Sequence, residues 1–521
     1  MKPISRPIRV LLMALMVLSV ASGIAARVKT SNLDSANFLS FMDRHTLFSP
    51  LSSDYAATND GLIALITSTP SKVCSIIDHA NNYPRNFFHI HAYIFPTLMS
   101  LSGWAVPLPT NWIAGLWLAS SLVGGLMALI VFLKKTKTPL IAIAFVLATL
   151  ITYPVLTNAF NAQIYIDLLI FGPACGSMLL LWWMKYRSLS VWPWAVILLV
   201  CLATVSERGA YIAGLIGLVY SVLLFGPSVV RFRETRFVTI TGLSAWIWMV
   251  IWTKFFQSNV QYQQQSIAGS IARLKSLLDQ PTRPQFVIFV MTSIVFLILS
   301  LFSGRGFLVA ICALAPNLLI TTGGAELSGF HSHYHQTYLA VLVSTAGIGF
   351  VRISSWVKTP NKLIRDGLIT ALGIVLFVVS LFNWSHYGQK VSMAQLRFDS
   401  RYVLLPTKLN NYAYAEVGIN QLEELTTYLK ALNPRTISGG ESIMPALFLA
   451  GFKDVEYWPV GVGVADVVVA PMVGGMPTVY PFGDVWGNGQ ELQACTMNSL
   501  DNQYQLVRQF ENYGVYQKSD R

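Results

Sequence analysis

The sequence predicts an all-α polytopic membrane domain of about eleven transmembrane helices, followed by a small α/β domain outside the cytoplasm. Three observations predict it. Charged residues make up 12% of the 521 positions, where a soluble domain carries about 25%. Apolar runs of about 20 residues, the length that crosses a bilayer, recur from the N-terminus to about residue 387. Only the segment from about 389 to 521 has the mixed polarity of a soluble domain.

The first element, residues 1–27, places a basic flank (KPISRPIR) before an apolar stretch that ends in small residues. It reads as a signal anchor forming the first span, with a cleaved signal peptide as the alternative. Residues 28–109 follow as an outer loop with juxtamembrane helices. Within it, FFHIHAYIFPTLMSLSG (87–103) reads as a re-entrant helix interrupted by Pro96. The multi-span domain occupies 110–388. Its apolar runs fall at about 110–133, 138–157, 163–184, 190–206, 207–226, 236–256, 285–304, 305–323, 337–354 and 368–387. The polar stretch 257–284 reads as an interfacial helix ended by a proline-flanked turn. In the last segment, 389–521, INQLEELTTYLKAL has the period of an amphipathic helix. RTISGG, DVEYWPV and ADVVVAP read as strands, with ESIMPALFLAG a helix between the first two.

Orientation follows from the basic residues. Lys134, Lys135, Lys137, Lys185, Arg187, Arg231, Arg233, Arg236, Arg352, Lys358, Lys362 and Arg365 all fall on one side, with Lys2, Arg6 and Arg9. A positive-inside bias makes that side the cytoplasm. The net charge of +12 is thereby explained by membrane topology. No basic and aromatic single-strand platform accompanies it, so a nucleic-acid partner is excluded. The expected location is the inner membrane of a bacterium, with the C-terminal domain on the extracytoplasmic side. Cys175, Cys201 and Cys312 lie in apolar runs and read as small core residues. Cys74 and Cys495 lie in polar regions and are able to pair only in an oxidising compartment; their wide separation argues weakly for it.

The polar residues are placed unevenly. All eight histidines fall at or outside the outer face. His331, His333 and His335 crowd together in FHSHYHQTYLAV. Asp34, Asp43, Asp54, Asp60 and Asp78 lie in the first loop. Glu207 and Arg208 sit in the outer turn of a helical hairpin, and Asp167 interrupts an apolar run one turn below the outer surface. A charge at membrane depth costs about 2.5–3.5 kcal/mol and therefore faces a cavity or a partner. The pattern predicts an outward-facing polar cleft. The histidine run has three readings: an interfacial cap at headgroup level, a metal site, or contact with a substrate phosphate. Solvated loop acids and a local Glu207–Arg208 ion pair are the bland readings of the others. The residues single out no cofactor; a divalent cation is the one the histidines would suit.

A first span, a long acidic outer loop, an outer segment containing His89, His91 and Pro96, many spans and an outer C-terminal domain together resemble the GT-C-type polytopic membrane glycosyltransferases. NAQIYIDLLIFG, SERGAYIAGLIGLVYSVL, FHSHYHQTYLAV and the tail ISGGES…DVEYWPV…ADVVVAP are more similar still to a bacterial family of membrane proteins of unassigned function, within or near that superfamily. The resemblance implies a polyprenyl-phosphate-linked sugar as donor and a glycan, lipid or protein acceptor, with membrane lipid around the site. It also implies a catalytic acid in the first outer loop. In this chain that acid is Asp60 or Asp54; the paired Asp-Glu of many such enzymes is absent. Arg208, Arg85, His89, His91, His331, His333 and His335 would contact phosphate, and Glu207 would orient Arg208. The competing expectation is a non-catalytic carrier or assembly factor on the same scaffold.

Overall fold

The computed structural model describes residues 6–28, 39, 74–75, 77, 94–95, 99, 107–153, 156, 166–255, 284–319, 336–383, 397–398, 406–408, 419–440, 443–452, 454–479 and 489–519. They belong to two compact units, one helical and one built mainly on the C-terminal segment.

Helices fall on the apolar runs, in order: α1 (Arg6–Val28), α2 (Thr110–Lys135), α3 (Leu140–Ile151), α4 (Phe171–Tyr186), α5 (Trp192–Val205), α6 (Glu207–Phe225), α7 (Arg233–Phe255), α8 (Pro284–Phe302), α9 (Arg305–Leu319), α10 (Gln336–Trp356) and α11 (Lys362–Asn383). A 3-10 turn, Ile166–Ile170, runs directly into α4. Among the described residues, six stretches are long and apolar enough to cross a membrane: α2, Ile166–Tyr186, α6, α7, α10 and α11. At about 1.5 Å per residue, the 12 residues of α3 fall short of a bilayer core of about 30 Å. Five further apolar helices are shorter, so six of the expected eleven or so crossings have full membrane-spanning length among the described residues.

Which faces are buried decides what each helix does. Residues Gln336–Phe350 of α10 are buried on every side, which makes α10 the central post of the helical unit. On α11, by contrast, Leu363, Ile364, Leu368, Val375, Val378 and Phe382 are exposed. A row of large apolar side chains facing outward is unfavourable in water and neutral in hydrocarbon. Cys312 also lies exposed, on α9. The expectation that it is a core residue is therefore corrected, since an apolar run in a membrane helix includes side chains that face lipid.

Between helices, small and polar residues supply the contacts that hydrophobicity cannot supply in lipid. The Ser300 and Thr345 hydroxyls lie 2.7 Å apart between α8 and α10, and the Tyr153 and Ser293 hydroxyls are 2.8 Å apart. At Gly349 the backbones of α8 and α10 approach so closely that an added Cβ would lie 1.7 Å from the Leu299 carbonyl oxygen. Gly349→Ala is expected to separate the two helices and to destabilise the helical unit by about 1–3 kcal/mol or more. Gly367→Ala, where nothing lies within 4 Å, should leave it unchanged. Thermal unfolding of the two variants in detergent checks the contrast.

In the C-terminal unit, the sheet order is β4 (Val455–Tyr457), β3 (Ile437–Gly439), β5 (Val467–Val473), β8 (Tyr513–Lys518), β7 (Tyr504–Phe510). β3 pairs in parallel with β4 and β5, and β8 is antiparallel to both β5 and β7. β6 (Met476–Pro477) folds back on β5. Two short strands, β1 (Arg397–Phe398) and β2 (Pro406–Lys408), pair separately and lie outside this unit. The side-chain alternation of β5 builds two cores. Val467 and Val469 pack with Leu422, Leu425 and Leu429 of α12 (Ile419–Leu432) and with Met444 and Leu447 of α13 (Met444–Leu449). Val468 and Ala470 pack on the other face with Leu492 and Leu500 of α14 (Gly489–Gln503). A strand covered on both faces reads as a continuous apolar run, as VVVA does here. β3, β4 and α13 fall inside the segments read from the sequence, and β5 starts inside ADVVVAP and runs two residues past it. The hairpin β7–β8 and α14, which complete the sheet and its second face, were not anticipated.

Ile77 joins the second core, and its carbonyl accepts a bond from the Gly463 N–H at 2.9 Å. Three residues before it, Cys74 is disulfide-bonded to Cys495 of α14, with the two Cα atoms 5.8 Å apart. The pairing that sequence separation made doubtful is present, because the first loop contributes to the core of the C-terminal unit.

Candidate functional site

The site grows from the break between α5 and α6. Ser206 is extended, with φ −164° and ψ 173°, and caps α6 by accepting the Gly209 N–H on its Oγ at 3.2 Å. The cap ends one helix and starts the next within a single residue. It also fixes Arg208 in the first turn of α6. The Ser206 hydroxyl donates in turn to Asp167 Oδ1 at 2.5 Å, and Arg208 Nη1 donates to Asp167 Oδ2 at 2.7 Å. Both oxygens of one carboxylate are thereby engaged by the start of α6.

Asp167 is 1% exposed and Arg208 18%. The pair sits at the ends of Ile166–Tyr186 and α6 that the charge bias assigns to the outside. A charge buried at membrane depth needs a partner, and this arrangement gives Asp167 a guanidinium and a hydroxyl. The turn holding Asp167 is itself tied down: Ser121 of α2 donates to the carbonyls of Leu168 and Leu169 at 3.2 and 3.1 Å and accepts the Gly172 N–H at 3.0 Å. The bond to Asp167 fixes the Arg208 guanidinium in place. Together with the positive end of the α6 dipole, this makes a prepositioned cation for an anionic group.

Two neighbouring segments reach the same end. The Ile94 N–H donates to the Thr204 carbonyl in the last turn of α5 at 3.1 Å, and the Phe95 ring packs edge-on against Trp117 at 5.4 Å. These two residues belong to the segment read as re-entrant. The helix α10, which follows His335 directly in sequence, packs against the turn Ile166–Ile170.

Of the residues expected to form the site, Glu207 and Arg208 are described; Glu207 opens α6 beside the Ser206 cap. Asp167 is a carboxylate that engages Arg208, an orienting partner additional to the Glu207 expected from the sequence. Asp167 reaches the guanidinium from the turn that precedes α4. Asp54, Asp60, Arg85, His89, His91, His331, His333 and His335 lie outside the described residues. Among the described residues no cluster of three or more His, Cys, Asp or Glu side chains suits a metal ion. The signal that marks Asp167 as part of the site is present in the sequence: it is the acid inside an apolar run. What the sequence does not supply is its partner, 41 positions away.

No family model matches the chain, and no curated protein does. Among solved structures, the chain is similar to the arabinofuranosyltransferase AftD from mycobacteria, at 11% identity and a TM-score of 0.45. That match takes in 99% of this chain and 42% of the AftD chain, so the chain spans less than half the length of that protein.

Proposed function

We propose that this protein is a membrane glycosyltransferase that moves a sugar from a polyprenyl-phosphate donor to an envelope glycan, lipid or protein acceptor on the outer face of the membrane. The observation that carries the reading is the Asp167–Ser206–Arg208 triad, in which a buried carboxylate anchors a guanidinium at the outer ends of two membrane helices. Leaving-group departure from a lipid phosphate needs a fixed cation where negative charge grows. Arg208 supplies it, and Asp167 holds it in position at the depth where a lipid phosphate lies. Asp60 or Asp54 acts as the base that takes the proton of the acceptor hydroxyl while it attacks the anomeric carbon. Arg85, His89, His91, His331, His333 and His335 contact phosphate, with Glu207 beside them.

The Cys74–Cys495 disulfide supports the sidedness of this reading. A disulfide persists in an oxidising compartment, and this one joins the first loop to the C-terminal domain. This supports placing both on the extracytoplasmic side of the membrane.

The test is mass spectrometry of lipid-linked sugars and envelope glycans from a deletion strain complemented with variants. A specific polyprenyl-phosphate sugar should accumulate in the deletion strain and in the strain carrying both Asp54→Asn and Asp60→Asn. Unchanged glycans and lipid-linked sugars in the deletion strain would instead favour a carrier or assembly factor that lacks chemistry.

A further inference from the structure

The opposite end of the helical unit holds a second feature, which the transferase reading does not use. A cavity of about 730 Å³ opens there, and Lys137, Lys185, Arg187, Arg305, Arg352 and Arg365 line it, with no acid among the lining residues. These cations come from the turn after α2, the end of α4 and the residue that follows it, the start of α9, the end of α10 and the start of α11. Five separate places in the sequence thus deliver positive charge to one concavity.

Only Arg365 has an acidic partner among the described residues, Asp366 at 3.1 Å. Lys185 and Arg187 lie over the rings of Phe225 and Trp183, at 5.6 and 5.9 Å. Arg305 donates to the Leu223 carbonyl at the end of α6. The backbone is shaped to admit these side chains. Lys137 takes a left-handed conformation, φ 65°, which is costly for a residue with a side chain. Gly304, at φ 68°, leaves the space in which Arg352 lies: an added Cβ there would be 2.3 Å from Arg352 Nη1. The Ser354 hydroxyl, also on the cavity wall, is buried with no hydrogen-bond partner among the described residues.

Scattered basic residues at this end would satisfy the positive-inside bias without converging. Like charges gathered in a pocket repel one another, and an anion that shares it relieves the repulsion. The pocket has the size of a small-molecule site, about 300–1,000 Å³. The positive-inside bias assigns this end of the helices to the cytoplasmic, anionic leaflet. A buried hydroxyl donor and several guanidinium forks match a phosphate group, which offers acceptor oxygens in a fork geometry.

We propose that this cavity binds the phosphate headgroup of an anionic lipid from the cytoplasmic leaflet, clamped between α4, α9 and α10. The inference stands apart from glycosyl transfer, because its readout is lipid retention. Native mass spectrometry of the full-length protein, with equal amounts of phosphatidylglycerol and phosphatidylcholine in the micelle, tests it. The wild type should retain phosphatidylglycerol selectively. Lys185→Gln with Arg187→Gln should weaken that retention about thirtyfold, from about fivefold per charge removed. Arg352→Gln should weaken it about fivefold, and Lys185→Arg should preserve it. Phosphatidylcholine retention should stay constant throughout, which also reports that each variant is folded. Equal retention of the two lipids by the wild type overturns the proposal, as does phosphatidylglycerol retention that none of these variants changes. If inorganic phosphate binds in phosphatidylcholine micelles and displaces phosphatidylglycerol, the pocket serves a soluble phosphate compound and the lipid assignment is overturned.

Discussion

Arg208→Ala is expected to lower sugar transfer by about a hundredfold to a thousandfold, the usual cost of removing a fixed donor from developing negative charge. It should also destabilise the helical unit, because it strands the Asp167 carboxylate in a site that is 1% exposed. Breaking a buried pair by removing one partner costs about 3–5 kcal/mol. Activity and stability can be separated by three further variants. Arg208→Lys keeps the charge but loses the planar fork, so it should fold and transfer weakly. Asp167→Asn keeps an acceptor for the Ser206 hydroxyl and removes the charge that anchors Arg208; turnover should fall while the donor still binds. The double variant Asp167→Asn with Arg208→Gln carries no uncompensated charge and should regain most of the stability without regaining transfer. Accumulation of the lipid-linked donor in complemented deletion strains measures the first quantity, and thermal unfolding in detergent the second. Wild-type transfer by a stable double variant would remove the triad from the mechanism.

Cys74→Ser or Cys495→Ser should destabilise the C-terminal unit by about 2–5 kcal/mol, the range for losing a native disulfide. The bond closes a loop across a sequence separation of 421. Much of that loop stays inserted as membrane helices when the C-terminal unit opens, so the entropy released is smaller than for a free chain of that length. The loss also reaches packing. Ile77, held near Cys74, sits in the core formed with Leu492, Leu500 and Trp458. Limited proteolysis should release fragments from the 419–519 region in either variant, while the helical unit stays intact. The same residues report sidedness: an impermeant maleimide should label wild-type Cys74 and Cys495 only after reduction. Labelling of both thiols in freshly prepared wild-type membranes without reductant would remove the oxidising compartment, and with it the outer location of this unit.

Several features were legible from residues alone. Apolar runs are sufficient to place membrane helices, because lipid admits only backbones that satisfy their own hydrogen bonds. The helices from α1 to α11 accordingly fall on the runs read from the sequence. The strands β3, β4 and β5 fall on RTISGG, DVEYWPV and ADVVVAP for a similar reason, since an apolar β-branched run suits a strand buried on both faces. By contrast, YQLVRQF and YGVYQK, which form β7 and β8, carry polar residues through most of their length. Their sheet partner, not their own pattern, makes them strands.

By itself, the sequence determined that this chain enters a membrane, where its helices lie, and which of their ends carry positive charge, because hydrocarbon filters residues by polarity one segment at a time. The tertiary structure alone decided which distant residues meet: Asp167 with Ser206 and Arg208, Cys74 with Cys495, and six cations around one cavity. Those meetings depend on how helices and strands pack. A carboxylate within an apolar run announces only that it needs a partner, and packing selects which one it receives.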